Sequence, residues 1–171
     1  MNKLTLFAIS AALSGTMMQV QAQCAPSSVV RFAAADGNVV HDYQHRLMWV
    51  SCALDPTTLD CAEQQQRRLS MSGVEALKAA QQVNFGGYSD WRLPNIKELA
   101  ALLGEPCVRA RAEVVFSLPK ALRRVWSATT AESGSYAGLL VLSPATSEIE
   151  AWSADYAGAG TLLVRDMDNQ K

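Results

Sequence analysis

The sequence has little charge of either sign and no long hydrophobic run after its first residues. Charged residues make up 18% of the 171-residue chain, and the formal net charge is −1. A surface so close to neutral lacks the strong positive field of duplex-DNA-binding proteins, so nucleic acid is not expected as a partner. After residue 22, no segment approaches the roughly 18 apolar residues of a membrane-spanning helix. Apolar residues still make up 49% of the chain, which is enough to bury the core of one compact domain.

The first 22 residues have the pattern of a secretory signal peptide. Lys3 supplies a positive start, residues 4–13 are mostly apolar, and Val20 and Ala22 are the small residues that a signal peptidase requires. We therefore predict a signal peptide at residues 1–22 and one mature domain at residues 23–171. The mature protein is expected in the periplasm or outside the cell.

Cysteine is scarce, with four residues in all, and every one follows the predicted cleavage site. An even number of cysteines in an oxidising compartment predicts two disulfides, for which the sequence allows three pairings. Cys52 and Cys61 bracket a turn-rich segment whose ends can meet, which favours this pair and leaves Cys24 to bond with Cys107. The chain lacks the tight CxxC pairs of zinc sites, so we expect no metal and no cofactor.

Strand patterns occupy both ends of the predicted mature domain, and helical patterns occupy its middle. The apolar runs predict strands at residues 29–32, 39–41, 47–50, 125–128, 139–142, 149–152 and 162–164. Turn residues at positions 36–38 indicate a hairpin between the first two strands. Because the strands do not alternate with helices, the sequence predicts an α+β domain with short antiparallel sheets.

Two helices are predicted between these strands. Ser72 and Glu75 fit a capping box for the first helix, and Gly86-Gly87 is expected to end it. Asn95 and Glu98 fit the same pattern for the second helix. The apolar stripe of the first helix is predicted to comprise Val74, Leu77, Ala80 and Val83, and the second helix is predicted to stop at Gly104 and Pro106.

The run GGYSDWRLPNIKEL, at residues 86–99, resembles the GYSDWRLPxxxEL core of the Lcl C-terminal domain family. Shorter segments are similar to other family elements in the same order. These are DGNVVHD at 36–42, RLMW at 46–49, the cysteine-bounded loop at 52–61 and VWS at 125–127. The resemblance spans residues 29–164, nearly all of the predicted mature domain.

This resemblance implies a C-type-lectin-like fold, similar to that of formylglycine-generating enzymes, in an exported bacterial protein. It also implies carbohydrate binding and adhesion, because the namesake of the family is an adhesin module that binds sulfated polysaccharides. Two departures leave the ligand chemistry open: Ala137-Gly138 stands where many members have an Ala-Trp pair, and residues 164–166 replace the usual VRxVR ending.

The run at residues 86–99, which we call the core motif, admits a catalytic and a structural interpretation. Asp90, Arg92 and Glu98 offer an acid, a cation and a base. A motif that joins a strand to a capped helix, however, needs core side chains, an arginine held by a carboxylate and a glutamate at the cap. We therefore assign a structural role to Asp90, Trp91, Arg92, Leu93, Pro94 and Glu98.

Catalysis is not expected from this sequence. A cysteine-dependent oxidase needs a reactive thiolate and a second cysteine in its cleft, yet no cysteine follows Cys107. This enzyme class remains the least favoured alternative. His41 and His45 fall in a strand and a turn, so we interpret them as surface histidines. The oxygen-bearing residues at positions 36–42 are too few for a calcium loop and fit a hairpin turn.

Basic residues cluster between positions 109 and 124, where the only acid is Glu113. Scattered solvated charge would explain them, but arginine's planar guanidinium also suits sulfate and carboxylate groups. Exposed aromatic rings would assist by stacking on sugars, whereas Trp49, Trp91 and Trp126 lie in apolar motifs and are expected in the core. The candidate ligand-binding residues are Arg109, Arg111, Lys120, Arg123, Arg124, Tyr136, Trp152 and Tyr156.

The sequence thus favours an exported, non-catalytic domain that binds anionic or sulfated surface glycans in adhesion. A protein-binding accessory subunit of a pilus or cell-envelope assembly is the alternative. A large exposed apolar patch would favour the protein partner, and arginines around a shallow polar groove would favour the glycan.

Overall fold

The computed structural model describes residue 24, residues 30–133 and residues 136–167. The predicted signal peptide lies outside the described residues. The strands are β1 (Phe32–Ala35), β2 (Val39–Asp42), β3 (Leu47–Val50), β4 (Val125–Ser133), β5 (Tyr136–Leu142), β6 (Ile149–Ser153) and β7 (Val164–Asp166). The helices are α1 (Gly73–Ala80), α2 (Ile96–Leu99) and α3 (Pro106–Ala112), with a π-helical turn at Ala100–Gly104 between α2 and α3.

The strands form two small antiparallel sheets, ordered β1-β2-β3-β7 and β4-β5-β6. The α+β prediction is confirmed. The last strand does not continue the C-terminal set, because it crosses to the N-terminal sheet and pairs with β3, Trp49 opposite Val164. Arg92 also pairs with Val164 through its backbone, so the core motif lies beside this crossover strand. The C-type-lectin-like relationship stays an expectation from the resemblance.

The predicted hairpin turn between β1 and β2 is confirmed, and it packs against a second glycine turn. Gly37 has a φ of +71°, and a Cβ built on it would lie 2.6 Å from the Cα of Gly86. Gly86 itself has a φ of +59°. The prediction that Gly86-Gly87 ends α1 is wrong, because these glycines form a tight turn in which Phe85 and Tyr88 exchange backbone hydrogen bonds. Only glycine combines this backbone conformation with so close an approach.

Helix α1 begins as predicted but buries a different face. Ser72 and Glu75 form the capping box, and α1 ends at Ala80. The predicted stripe is wrong at Leu77, which is 40% exposed, while the buried residues are Gly73, Ala76, Ala79 and Ala80. A strict spacing of three drifts around a helix of 3.6 residues per turn, so it cannot stay on one face. The small buried residues instead allow close packing, with Leu139 Cδ1 2.8 Å from a Cβ built on Gly73.

The second predicted helix is present, and a third helix follows it. Asn95 caps α2 and its side chain accepts from the amides of Lys97 and Glu98, as the capping pattern predicts. Pro106 does not end the helical region, however: it opens α3, and the two-helix prediction is wrong on this point. The physical reason is that backbone amides in the first turn of a helix have no hydrogen-bond partner within the helix. Proline, which lacks the amide hydrogen, therefore loses no hydrogen bond there and is well tolerated.

Both predicted disulfides are confirmed. Cys24 bonds with Cys107, which ties the start of the described chain to α3, and Cys52 bonds with Cys61. Trp49, Trp91 and Trp126 are buried in the core, as predicted. Within the described residues, no helix is long and apolar enough to cross a membrane.

Candidate functional site

The core motif of the sequence is held together by ion pairs. Arg92 donates from Nη1 and Nη2 to the two carboxylate oxygens of Glu98, at 2.9 Å each, and from Nη2 to Asp166 Oδ1 at 2.9 Å. The same Glu98 carboxylate accepts from the backbone amide of Asn95 at 2.7 Å and completes the cap of α2. The hydrogen bonds that Arg92 donates to Glu98 raise the pKa of Arg92 above its ordinary value. The Arg92 guanidinium therefore joins the segment before α2 to α2 itself and to β7.

Asp90 is engaged in a second bidentate pair, with Arg165. Arg165 Nε and Nη2 donate to the two Asp90 oxygens at 2.7 and 3.0 Å, and its guanidinium lies 4.0 Å from the centre of the Tyr88 ring. Hydrogen bonding from Arg165 lowers the pKa of Asp90. Trp91 and Leu93, on either side of Arg92, are buried. The two acids and the arginine of the motif are thus committed to neighbours, in support of their structural assignment.

A buried pair of Arg31 and Asp42 fastens β1 to β2. Arg31 Nη2 and Nε donate to the Asp42 carboxylate at 2.8 and 3.0 Å, and Nη1 donates to the carbonyl oxygen of Ala101. Burial alone would raise the pKa of Asp42, but the hydrogen bonds and charge of Arg31 outweigh it and hold this pKa below its usual value. His45 Nδ1 lies 3.1 Å from Asp42 Oδ2, and His41 contacts Tyr43 edge to face. Asp42, one of the residues considered for a calcium site, therefore points inward and binds Arg31.

Three of the predicted basic residues line one open groove, which we call the basic cleft. Arg109, Lys120 and Arg123 line this cleft of about 650 Å³, together with the single acid Glu113. Its other lining residues are mainly apolar and include Leu103, Phe116, Leu118 and Leu122. The cleft is a positively charged rim around an apolar floor.

Arg109 is fixed within the cleft by the helix that carries it. It lies in the last turn of α3, and its Nη1 donates to the carbonyl oxygens of Leu103 and Pro144. Lys120 and Arg123 are exposed, and within the described part of the chain no carboxylate lies at ion-pair distance from either. None of the described carboxylates therefore compensates their charges.

The remaining candidate residues do not line the basic cleft. Arg111 is exposed on α3. Arg124 donates from Nε to Glu150 Oε2 at 3.2 Å and lies 5.8 Å from the centre of the Trp152 ring. Trp152 contacts Tyr156 edge to face at a centroid distance of 5.2 Å. Trp152 and Tyr156 together form what we call the aromatic shelf. Tyr136 begins β5, but its side chain lies outside what the structure describes.

Several cleft residues carry no signal in the sequence. Gln64 lines the basic cleft from a polar loop, where its side-chain amide donates to Ser117 Oγ at 2.8 Å. Pro144 and Ala145 line it from the turn between β5 and β6. These residues are distant from one another in sequence, and nothing in their local pattern indicates a shared groove. Only the packing of α3 against this turn brings them together.

The four cysteines of the chain are all in disulfides, so none offers a thiolate. Disulfides are typical of proteins in oxidising, extracytoplasmic compartments. Among the residues described, no group of three or more His, Cys, Asp or Glu side chains is arranged to hold a metal ion.

Comparison with known proteins supplies one family. The family model described as the Lcl C-terminal domain matches residues 38–167, most of the chain and every element from β2 to β7. The match includes the ion-paired motif, the basic cleft and the aromatic shelf. No curated protein matches the chain.

Proposed function

The chain belongs to the Lcl C-terminal domain family, and on this premise we propose that it is a non-catalytic domain that binds anionic or sulfated surface glycans in adhesion. The observation that carries the proposal is the pair of exposed cations on the rim of the basic cleft, Lys120 and Arg123, for which no described residue supplies a carboxylate at ion-pair distance. Export to the periplasm or the cell exterior, with removal of residues 1–22, belongs to the same proposal.

The geometry of the cleft suits an extended polyanion. Lys120 provides a mobile point charge, and Arg123 provides a planar guanidinium that can hold two oxygens of a sulfate or carboxylate at once. Arg109 adds a third charge whose position is fixed by backbone carbonyl groups. Because the groove is open, a chain can enter and leave at its ends without threading.

The absence of catalysis in this proposal rests on how the reactive groups are used. Each cysteine is oxidised in a disulfide. Asp90 and Glu98, the acids of the core motif, accept hydrogen bonds from arginines and from the cap of α2. An enzyme needs such groups available to its substrate.

A protein partner in the cell envelope is the second candidate, and the floor of the cleft favours it. The floor is largely apolar, and Val114, the neighbour of the cleft residue Glu113, is 83% exposed. An apolar floor with a cationic rim would fit an acidic peptide segment with one or two apolar side chains. The test below separates the two partners.

The test compares two double variants that remove the same charge. Lys120→Ala/Arg123→Ala removes the uncompensated cations of the cleft, whereas Arg67→Ala/Arg68→Ala removes two exposed arginines that do not line it. Binding of the oxidised protein to immobilised heparin and to its desulfated form is measured at low and physiological salt, with and without a chelator. We expect the cleft variant to lose about 10- to 100-fold in affinity and the control to lose little.

Salt-sensitive binding that survives the chelator and depends on the cleft cations would support recognition of a polyanion. Equal losses in the two variants would contradict the cleft as the site. If no glycan binds, crosslinking in the native cell would reveal whether an envelope protein occupies the cleft.

A further inference from the structure

Three aromatic rings lead from the core of the protein to its surface. Trp126 is fully buried, and its indole NH donates to the Met71 carbonyl at 2.8 Å. Trp152 packs edge to face on Trp126 at a centroid distance of 6.1 Å. Tyr156 packs in turn on Trp152 and is 58% exposed. The exposed ring of the aromatic shelf is therefore supported from below by a fixed core residue.

Gly158 provides the space that the shelf occupies. A Cβ built on this residue would lie 2.2 Å from Tyr156 Cε1 and 2.7 Å from a ring carbon of Trp152. The Gly158 amide also donates to the Tyr156 carbonyl at 3.1 Å, which closes a tight turn around the ring. An exposed aromatic ring that is held in this way loses little freedom on binding, and this favours affinity.

An ion pair lies beside the shelf and gives it polar partners. Arg124 and Glu150 are 3.2 Å apart, and their side chains are 26% and 40% exposed. Arg124 also lies 5.8 Å from the centre of the Trp152 ring. A guanidinium and a carboxylate next to an aromatic face can pair with the hydroxyl groups of a sugar, while the ring meets its C–H groups.

Two consecutive residues connect the basic cleft to the shelf. Arg123 lines the cleft, and the guanidinium of the next residue, Arg124, lies 5.8 Å from the centre of the Trp152 ring. We infer that one glycan chain occupies both places: an anionic group binds at Lys120 and Arg123, and a neighbouring pyranose ring stacks on Tyr156. This inference rests on the proposed function and adds a second, uncharged contact to it.

The two contacts differ in how they respond to salt and to the ligand. The charge contact weakens as ionic strength rises, whereas stacking on Tyr156 does not depend on screening. The domain therefore retains a measurable, salt-insensitive affinity for an uncharged oligosaccharide. An inorganic sulfate ion, which has no ring, occupies only the cleft.

Calorimetric titration with a heparin hexasaccharide and with a desulfated, N-acetylated and carboxyl-reduced counterpart, which carries no charge, tests this arrangement. Tyr156→Ala is expected to weaken both ligands by roughly fivefold, with the same ratio at low and physiological salt. Tyr156→Phe keeps the ring and should bind like the wild type. Gly158→Ala displaces the two rings and should weaken both ligands to a similar extent. Tyr43→Ala, which removes an equally exposed tyrosine from the turn after β2, is the matched control.

The outcomes separate the shelf from the cleft. If Lys120→Ala/Arg123→Ala weakens binding of the sulfated ligand and Tyr156→Ala does not, the shelf inference is overturned and the proposed function stands. If the uncharged ligand binds through Tyr156 while the cleft variant has no effect on binding of the sulfated ligand, the shelf is a sugar site and the polyanion proposal fails. If neither oligosaccharide binds the folded wild type, both are wrong.

Discussion

Two regions of the molecule use the same side chain for different purposes. Around the core motif, Arg31, Arg92 and Arg165 each contact a carboxylate at 2.7 to 2.9 Å, so every guanidinium has a partner within the fold. In the basic cleft, Lys120 and Arg123 face solvent, and none of the described carboxylates pairs with either. Burying an unpaired charge is costly, so the side chains of Arg31 and Arg165, which are 10% and 4% exposed, need these partners for the fold to be stable. The exposed cations of the cleft have no such requirement and remain available to a ligand.

The largest effect on stability is expected when an ion pair in the interior is broken. Asp42→Asn keeps the shape of the side chain but removes the negative charge from a position that is 1% exposed, opposite an Arg31 side chain that is 10% exposed. Leaving this guanidinium without its counter-charge should lower the free energy of unfolding by about 3–5 kcal/mol. Urea unfolding at pH 7, followed by circular dichroism, measures the change.

Asp166→Asn is the control for that variant. Asp166 also accepts a hydrogen bond from an arginine, but it is 78% exposed and Arg92 keeps its bond to Glu98. Exposed pairs contribute about 1 kcal/mol or less. If the two variants lost similar amounts of free energy of unfolding, burial would not determine how much these ion pairs contribute to stability.

An intermediate effect is expected from acid, which protonates the paired carboxylates. The folded-state pKa values of Asp42 and Asp90 lie below their ordinary values. These groups therefore add stability above the unfolded-state pKa of about 3.9, and this stability is lost as the pH falls through the lower folded-state values. Unfolding measured from pH 6 to pH 2 should show wild type and Asp42→Asn converging in acid. If the difference between their free energies of unfolding stayed constant over this pH range, the assignment of the stabilising charge to Asp42 would be contradicted.

The smallest effect on stability is expected in the cleft. Lys120→Ala/Arg123→Ala removes two exposed side chains without a carboxylate partner among the described residues. The free energy of unfolding should stay within about 0.5 kcal/mol of the wild type, since surface changes of this kind rarely cost more. Thermal and urea unfolding measure it. A loss comparable to that of Asp42→Asn would place these cations with the structural set and remove the argument for a ligand site.

The parts of the fold that were predicted depend on near neighbours in the chain. Ser72 and Asn95 were identified as caps because each needs only the residues of the following helical turn. The turn at Gly37 and the Cys52–Cys61 pair were likewise predicted from short segments. The buried face of α1 was predicted wrongly and α3 was not predicted, because the spacing of apolar residues and the presence of Pro106 are each compatible with more than one local structure.

The sequence predicted which kinds of residue form the candidate site but not how they are arranged. The cluster from Arg109 to Arg124 was found by counting charges, but the count did not separate Arg123, on the cleft, from Arg124, which is paired with Glu150. The partner of Arg124 is supplied by β6, a strand that lies more than 20 residues away in sequence.

The sequence by itself determined the α+β class, the helix caps and the Cys52–Cys61 pair, because these follow from local spacing, and it indicated the family through motifs that can be matched as strings. The Cys24–Cys107 pair, 83 positions apart, followed only after Cys52 and Cys61 had been paired. The tertiary structure decided which of the described cations pair with a carboxylate. It also decided that β7 crosses to the N-terminal sheet, where Arg165 meets Asp90 and Asp166 meets Arg92. Such pairings join residues about 75 positions apart, and only the packing of both sheets around one core sets the distances on which their charges act.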